Sequence, residues 1–213
     1  MSGYQSEALT LRTYPYAESH KIAVFLTRSF GKVRGVAYGA QKAKGRFSGA
    51  LEPLTHVRLT FSRKENQELA SLRNCEILQV FPAYHLSLEV NLHFSYFAEL
   101  LVEFSREEEE SELLFRLSLA VLEATQKISI DRVARYFELW LLKLDGVLPS
   151  LEAKLPSTLA EKVYAMMKIP AAELDTVPLS GEENRRLETL SGQLIEYHLE
   201  KRLKTKKMLK ELL

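Results

Sequence analysis

The stretch Ile22-Ala-Val-Phe-Leu-Thr-Arg-Ser-Phe-Gly-Lys-Val-Arg-Gly-Val-Ala-Tyr38 reads as two strands around one tight turn. Ile22 to Thr27 is a short apolar run rich in strand formers. Ser29-Phe-Gly-Lys32 is a turn signal, with Gly31 free to take a positive φ. Val33 to Tyr38 returns as the next strand. Upstream, Tyr4 to Thr13 alternates loosely around Leu9 and Leu11, and Tyr14-Pro15-Tyr16 is expected to end it, because proline cannot donate to a ladder. Downstream, Leu54 to Phe61 sets Val57, Leu59 and Phe61 on one face and His56, Arg58 and Thr60 on the other. Leu69 to Leu78 reads as one more strand. Five short strands with turns at intervals of about 8–12 residues predict a small barrel rather than a parallel sheet.

The period changes near Pro82. Leu86, Val90, Phe94, Phe97, Leu100, Leu101 and Phe104 recur at helical spacing and predict a long amphipathic helix. Arg106 to Glu112 is acidic and reads as a solvated connection whose charge favours the next helix N-terminus. Helices are expected over Leu113–Lys127, Ile130–Leu144 (ended by Gly146) and Leu159–Lys168 (stopped before Pro170). Ser180 with Glu183 has the spacing of a capping box, opening a last helix that carries Lys201, Arg202, Lys204, Lys206, Lys207 and Lys210. The predicted class is α+β with two domains: a strand-rich domain over residues 1–80 and an all-α domain over residues 81–213.

With 213 residues the chain buries a core without metals or disulfides. Its single cysteine, Cys75, excludes an internal disulfide and a cysteine-rich zinc site, and suits a reducing cytoplasm. The start lacks an apolar signal-peptide core, and no run approaches the roughly 18 apolar residues of a membrane helix. A cytoplasmic protein without a membrane partner is expected. The net charge of +1 conceals a split: residues 1–80 carry five Lys and seven Arg against six Glu, while the remainder carries 17 bases against 22 acids. A basic lobe of this kind suits nucleic acid.

Period two along the third strand sets Lys32, Arg34, Val36 and Tyr38 on one face and Val33, Gly35 and Ala37 on the other. Cations that follow phosphates, beside a flat ring that accepts a base, are what single-stranded nucleic acid needs. Lys21 and Arg28 stand at the ends of the second strand. The segment Gly39–Leu51 has three glycines and no acid, and reads as a mobile cationic loop offering Lys42, Lys44 and Arg46, with Phe47 as a stacking ring. The structural alternative is a solvated strand face beside a flexible loop. For the C-terminal bases, the alternative to a second phosphate patch is a solvated helix end. The histidines His20, His56, His85, His93 and His198 are scattered without ligand spacing, and consecutive glutamates from Glu107 to Glu110 point in different directions on a helix. No phosphate loop, dinucleotide fingerprint or nucleophile elbow is present. No catalysis, metal or cofactor is expected.

Four pairs follow one another through this front half: Tyr16 and Glu18, Phe25 and Thr27, Gly31 and Lys32, Gly39 and Ala40. With Tyr96-Phe-Ala-Glu99-Leu-Leu and Phe137-Glu-Leu-Trp-Leu-Leu-Lys-Leu-Asp-Gly146 they resemble the RecO family of bacterial recombination mediators over most of residues 5–150. The resemblance implies an oligonucleotide-binding (OB) barrel followed by a helical domain. It also implies binding of single- and double-stranded DNA, annealing of complementary strands, and loading of the recombinase RecA together with RecR. The acidic, hydrophobic C-terminal tail of the single-strand-binding protein SSB would be a further partner, needing an apolar groove with a nearby cation. Arg132 and Arg135 are candidates for that cation. Such a protein works at the nucleoid. Many family members carry four zinc cysteines after the position of Gly146; Val147–Ser157 has none, so a zinc-less version is expected. The family's basic loop usually has serine where Gly45 stands. The competing reading is an RNA-binding OB protein of translation or RNA processing.

Overall fold

The computed structural model describes residues 3–41, 45–64, 67–81, 87–110 and 112–212. Five strands come first: β1 Gly3–Tyr16, β2 His20–Thr27, β3 Gly31–Ala37, β4 His56–Ser62 and β5 Ala70–Gln79. They close into a barrel in the order β1-β2-β3-β5-β4, with β3 and β5 parallel and every other pair antiparallel. That is the topology of an OB barrel. The helices follow: α1 Leu88–Phe104, α2 Glu112–Ala124, α3 Ile130–Leu144, α4 Ser157–Met166, α5 Gly181–Leu199 and α6 Lys204–Leu212. The chain forms two compact units, Met1–Phe115 and Arg116–Leu213, so α1 belongs with the barrel.

Alternation fills the barrel. Ala23 and Phe25 from β2, Val33 and Ala37 from β3, Val57, Leu59 and Phe61 from β4, and Leu72 and Cys75 from β5 form one buried cluster. Burial of each large side chain contributes roughly 1.5–3 kcal/mol. In these surroundings desolvation pushes the Cys75 thiol up to about 12, so it stays protonated and inert. Leu9, Val24 and Leu26 point out of the barrel and are buried all the same; α1 packs against β1 and β2. Burial on α1 therefore extends beyond a single stripe, to Tyr96, Ala98 and Glu99. Leu86, placed on that helix by its spacing, lies outside the described residues.

Two expectations about the front half are corrected. β1 does not stop at Tyr14-Pro15-Tyr16: Pro15 pairs with Lys21 and Tyr16 with His20. β1 is flanked by β4 only over Gly3–Leu9, so at Pro15 one edge is open and the missing N–H removes no ladder bond. The Gly39–Leu51 segment is not simply a mobile loop. Phe47, Ala50 and Leu51 enter the barrel core, and the Thr10 hydroxyl donates to the Ala50 carbonyl at 2.8 Å.

The second unit is built on α3 and α5, around Leu139, Leu159, Val163 and Leu187. The Ser180–Glu183 capping box is present at the start of α5. The last helix is two: Glu200 takes φ 53°, in the left-handed region, and the chain restarts as α6. A buried charge cluster joins these elements. Glu138 accepts from Ser191 at 2.6 Å, from Arg135 at 3.1 Å and from Lys206 at 3.0 Å. Buried charges persist only when each is met in this way.

Candidate nucleic-acid interface

Strand register places the candidate interface on the outward face of β1, β2 and β3. Antiparallel neighbours that face each other point the same way, so the pairs define cross-strand rows. One row runs Arg12, Val24, Arg34; the next runs Tyr14, Ile22, Val36. Beyond them Tyr16 pairs with His20, whose ring meets Tyr38 edge-on at 5.0 Å. Tyr14, Tyr16 and Tyr38 are 44%, 45% and 50% exposed. Unoccupied ring faces on a strand surface are what successive unstacked bases require. The His20 ring is held in place: Gly39 N–H donates to Nδ1 at 3.0 Å, so the neutral ring carries its proton on Nε2. Gly39 sits at φ 74°, a conformation glycine reaches without strain.

The other end of the same face is covered by the chain itself. A short acidic strap, residues 105–110, pairs with the start of β3. Lys32 N–H donates to the Arg106 carbonyl at 2.7 Å, and Glu107 bridges Gly31 and Lys32. Gly31 has φ 63°, and a Cβ there would stand 2.3 Å from the Glu109 carbonyl oxygen. The strap's carboxylates meet the barrel's cations. Arg34 pairs with Glu107 at 2.9 Å and Arg63 with Glu108 at 2.5 Å. Arg28 pairs with Glu112, the first residue of α2, at 2.8 Å, with Glu7 on its other side at 3.5 Å. Hydrogen bonding to Glu112 and that carboxylate's charge raise the Arg28 pKa further, with Glu7 adding to the effect.

The predicted residues therefore divide. Arg34 and Tyr38 share the outward face, as expected. Lys32 is on it too, but its Nζ donates to the Val102 carbonyl of α1 at 2.9 Å. Lys21 has the opposite parity, paired with Ala37 at the barrel mouth. Arg28 is engaged by the two glutamates. Arg46 is exposed, while Phe47 is 3% exposed and cannot receive a base; its placement as an outer ring is corrected, since the barrel core takes it. Arg46 caps the Phe47 ring at 5.4 Å. Lys42 and Lys44 lie outside the described residues. Arg12, Tyr14, Tyr16 and His20 escape the sequence reading because Pro15 reads as a break; continued through it, period two puts Arg12, Tyr14 and Tyr16 on one face.

In the second unit both arginines expected to bind a partner are met by carboxylates of the chain. Arg135 is buried against Glu138, and Arg132 pairs with Asp175 at 2.9 Å while donating to the Leu174 carbonyl. Lys206, expected on a basic surface, is an internal partner of Glu138. A separate open groove of about 500 Å³ is lined by Lys154, Leu155, Pro156, Arg185, Arg186 and Leu190, among others. Among the described residues no group of His, Cys, Asp and Glu has the makings of a metal site, and no helix is long and apolar enough to cross a membrane.

Residues 1–81 match the family described as Recombination protein O N terminal, and residues 85–158 match Recombination protein O C terminal. A Koribacter versatilis protein named DNA repair protein RecO is 42% identical, over 69% of this chain and 60% of its own length. Its namesake from Syntrophus aciditrophicus is 37% identical, over 70% of this chain and 58% of that protein. The one from Geobacter metallireducens is 32% identical, over 78% of this chain and 70% of that protein. The chain thus spans about three fifths of the length of the first two relatives. With both family matches in order, over a closed barrel and the helices that follow it in the chain, this chain belongs to the RecO family.

Proposed function

We propose that this protein acts in DNA repair as a recombination mediator: it binds single- and double-stranded DNA, anneals complementary strands, and with RecR helps load RecA onto SSB-coated DNA. The observation that carries the reading is the open row of Tyr14, Tyr16, His20 and Tyr38 beside Arg12 and Arg34 on the barrel's outward face. Stacking on rings is indifferent to base identity, as an annealing protein requires. Cations beside the rings offset phosphate repulsion when a second strand approaches, and no nucleotide is consumed. The names carried by the relatives support the repair context.

In this reading the strand-rich front, residues 1–80, meets DNA, and the helical remainder, residues 81–213, receives partners. The SSB tail is acidic and apolar, and the groove with Leu155, Pro156 and Leu190 beside Lys154 and Arg185 has the complementary chemistry, although Arg186 there is paired with Glu182. That groove replaces Arg132 and Arg135 as the candidate.

The deciding experiment is annealing of complementary DNA strands coated with SSB, with and without the protein. Acceleration is expected; an unchanged rate together with a strong preference for RNA would turn the reading to an RNA-binding protein. Specific cleavage of labelled strands with magnesium or manganese would overturn the non-enzymatic part.

A further inference from the structure

We propose that the acidic strap is an internal phosphate mimic that occupies the cations at one end of the DNA-binding face and must be displaced before those cations can hold nucleic acid. Two carboxylates of the strap and one at the start of α2 meet three arginines of the barrel unit: Glu107 with Arg34, Glu108 with Arg63, and Glu112 with Arg28. These are not contacts of a wandering loop. The strap is bonded by backbone to Lys32 and seated on Gly31, where only a residue without Cβ allows the approach. Glu107 is thereby delivered to Arg34, on the same outward face as Tyr38, while Glu108 meets Arg63 beyond the end of β4, beside Phe30 and Phe61.

The chemistry of the substitution is direct. Guanidinium groups take carboxylates and phosphates with the same planar donors. All three arginines and all three glutamates keep substantial exposure except Arg63, at 22%, so a phosphate can reach most of them from solvent. Exposed pairs of this kind are weak and salt-screened, which makes exchange for a polyanion feasible. Binding then proceeds in two regimes. Bases settle first on the open rings, and a longer or second strand displaces the carboxylates and gains the arginines. The strap lowers affinity for a lone short strand and reserves part of the cationic surface for DNA that already occupies the rings.

The inference rests on the barrel being the DNA-binding surface. Its test is the salt dependence with which the full chain binds a lone short single strand of DNA, comparing wild type with the triple variant Glu107→Gln, Glu108→Gln, Glu112→Gln. Each arginine released to a phosphate adds about 0.7 to the slope of log affinity against log salt, so the slope steepens by up to about 2. Affinity near 0.1 M salt rises roughly ten- to hundredfold. Glu110→Gln is the control for charge alone, because Glu110 is exposed and has no ion pair among the described residues. Unfolding curves confirm that the variants fold, and Glu107→Gln alone reports Arg34 if the triple variant is unstable. A triple variant with the wild-type slope overturns the mimic, as does an equal gain from Glu110→Gln. Absence of salt-dependent DNA binding by wild type and variant alike sinks the DNA-binding reading itself, and the mimic with it; wild-type binding with unchanged variants sinks the mimic alone.

Discussion

The two ends of the outward face of β1–β3 are built from the same kinds of residue and finished in opposite ways. At one end, Arg28, Lys32 and Arg34 are met by Glu112, the Val102 carbonyl and Glu107. At the other, Tyr14, Tyr16 and Tyr38 stand exposed, with only His20 for a ring neighbour among the described residues. A cation on a strand is satisfied by any carboxylate the chain brings over it. These aromatic rings keep about half of their area exposed, hydrophobic surface that the described residues do not cover. The lesson is that basic residues are a poor guide to which end of a barrel is open; the uncovered rings are the better one.

Gly31→Ala attacks the covered end and carries the largest expected effect. The new Cβ meets two strap carbonyl oxygens, at 2.3 Å and 2.5 Å, and must also hold a positive φ. The left-handed conformation and the overpacking together cost about 2–5 kcal/mol, read by urea or thermal unfolding. A variant as stable as wild type would show that the strap is not seated on the barrel.

The bare end is broken by removing rings. Tyr14→Ala, Tyr16→Ala and Tyr38→Ala are each expected to weaken single-stranded DNA binding by about 1–3 kcal/mol, the worth of one stacked base. Each should also cost about 1–2 kcal/mol of stability, because roughly half of each residue is buried, so binding is compared under conditions where unfolding curves show the variants folded. Arg34→Ala sharpens the contrast: its charge is already met by Glu107, so its loss should matter less than the loss of Tyr38. The opposite order would reverse the assignment of the two ends.

The loop after β3 supplies a third test. Replacing Lys42, Lys44 and Arg46 together by Ala is expected to flatten the salt slope by up to about 2, at roughly 0.7 for each phosphate no longer neutralised. An unchanged slope removes the loop from the interface and leaves the rings and Arg12 to carry it.

Much of this was legible locally. Period two separated Lys32, Arg34 and Tyr38 from Val33, Gly35 and Ala37, and Ser180 with Glu183 marked the start of α5, because both signals lie within a few residues. What stayed hidden depends on distant chain. Pro15 is tolerated only because β4 does not flank β1 there, which no stretch of sequence states. Glu107, Glu108 and Glu112 read as solvated because their partners, Arg34, Arg63 and Arg28, lie far upstream. Phe47 sits among glycines and bases, yet the barrel has room for its ring. The break at Glu200 puts a non-glycine in the left-handed region, so the usual glycine signal is missing.

A carboxylate in the second unit gives the smallest effect and the strictest control. Glu183 accepts from Lys162 at 2.7 Å and from the Ser180 N–H at 2.7 Å, and closes the capping box of α5. The Lys162 hydrogen bond, with that from the Ser180 backbone, holds its carboxyl below the usual glutamate value. A carboxylate whose folded pKa is depressed stabilises the protein above its unfolded pKa, and that share is lost as pH falls through the folded value. Glu183→Gln should therefore lose a little stability at neutral pH, with the difference from wild type closing as pH falls below the ordinary glutamate value and through the lowered one. Ser180→Ala, which removes the reciprocal half of the box, should cost about 0.5–2 kcal/mol. Neither change should alter the salt slope for DNA, although Glu183→Gln removes the same unit of charge as Glu107→Gln. A steeper slope from Glu183→Gln would mean that net charge, rather than the pairing of Arg34, Arg63 and Arg28, sets DNA affinity, and the difference between the two ends of the barrel face would then have no local electrostatic cause.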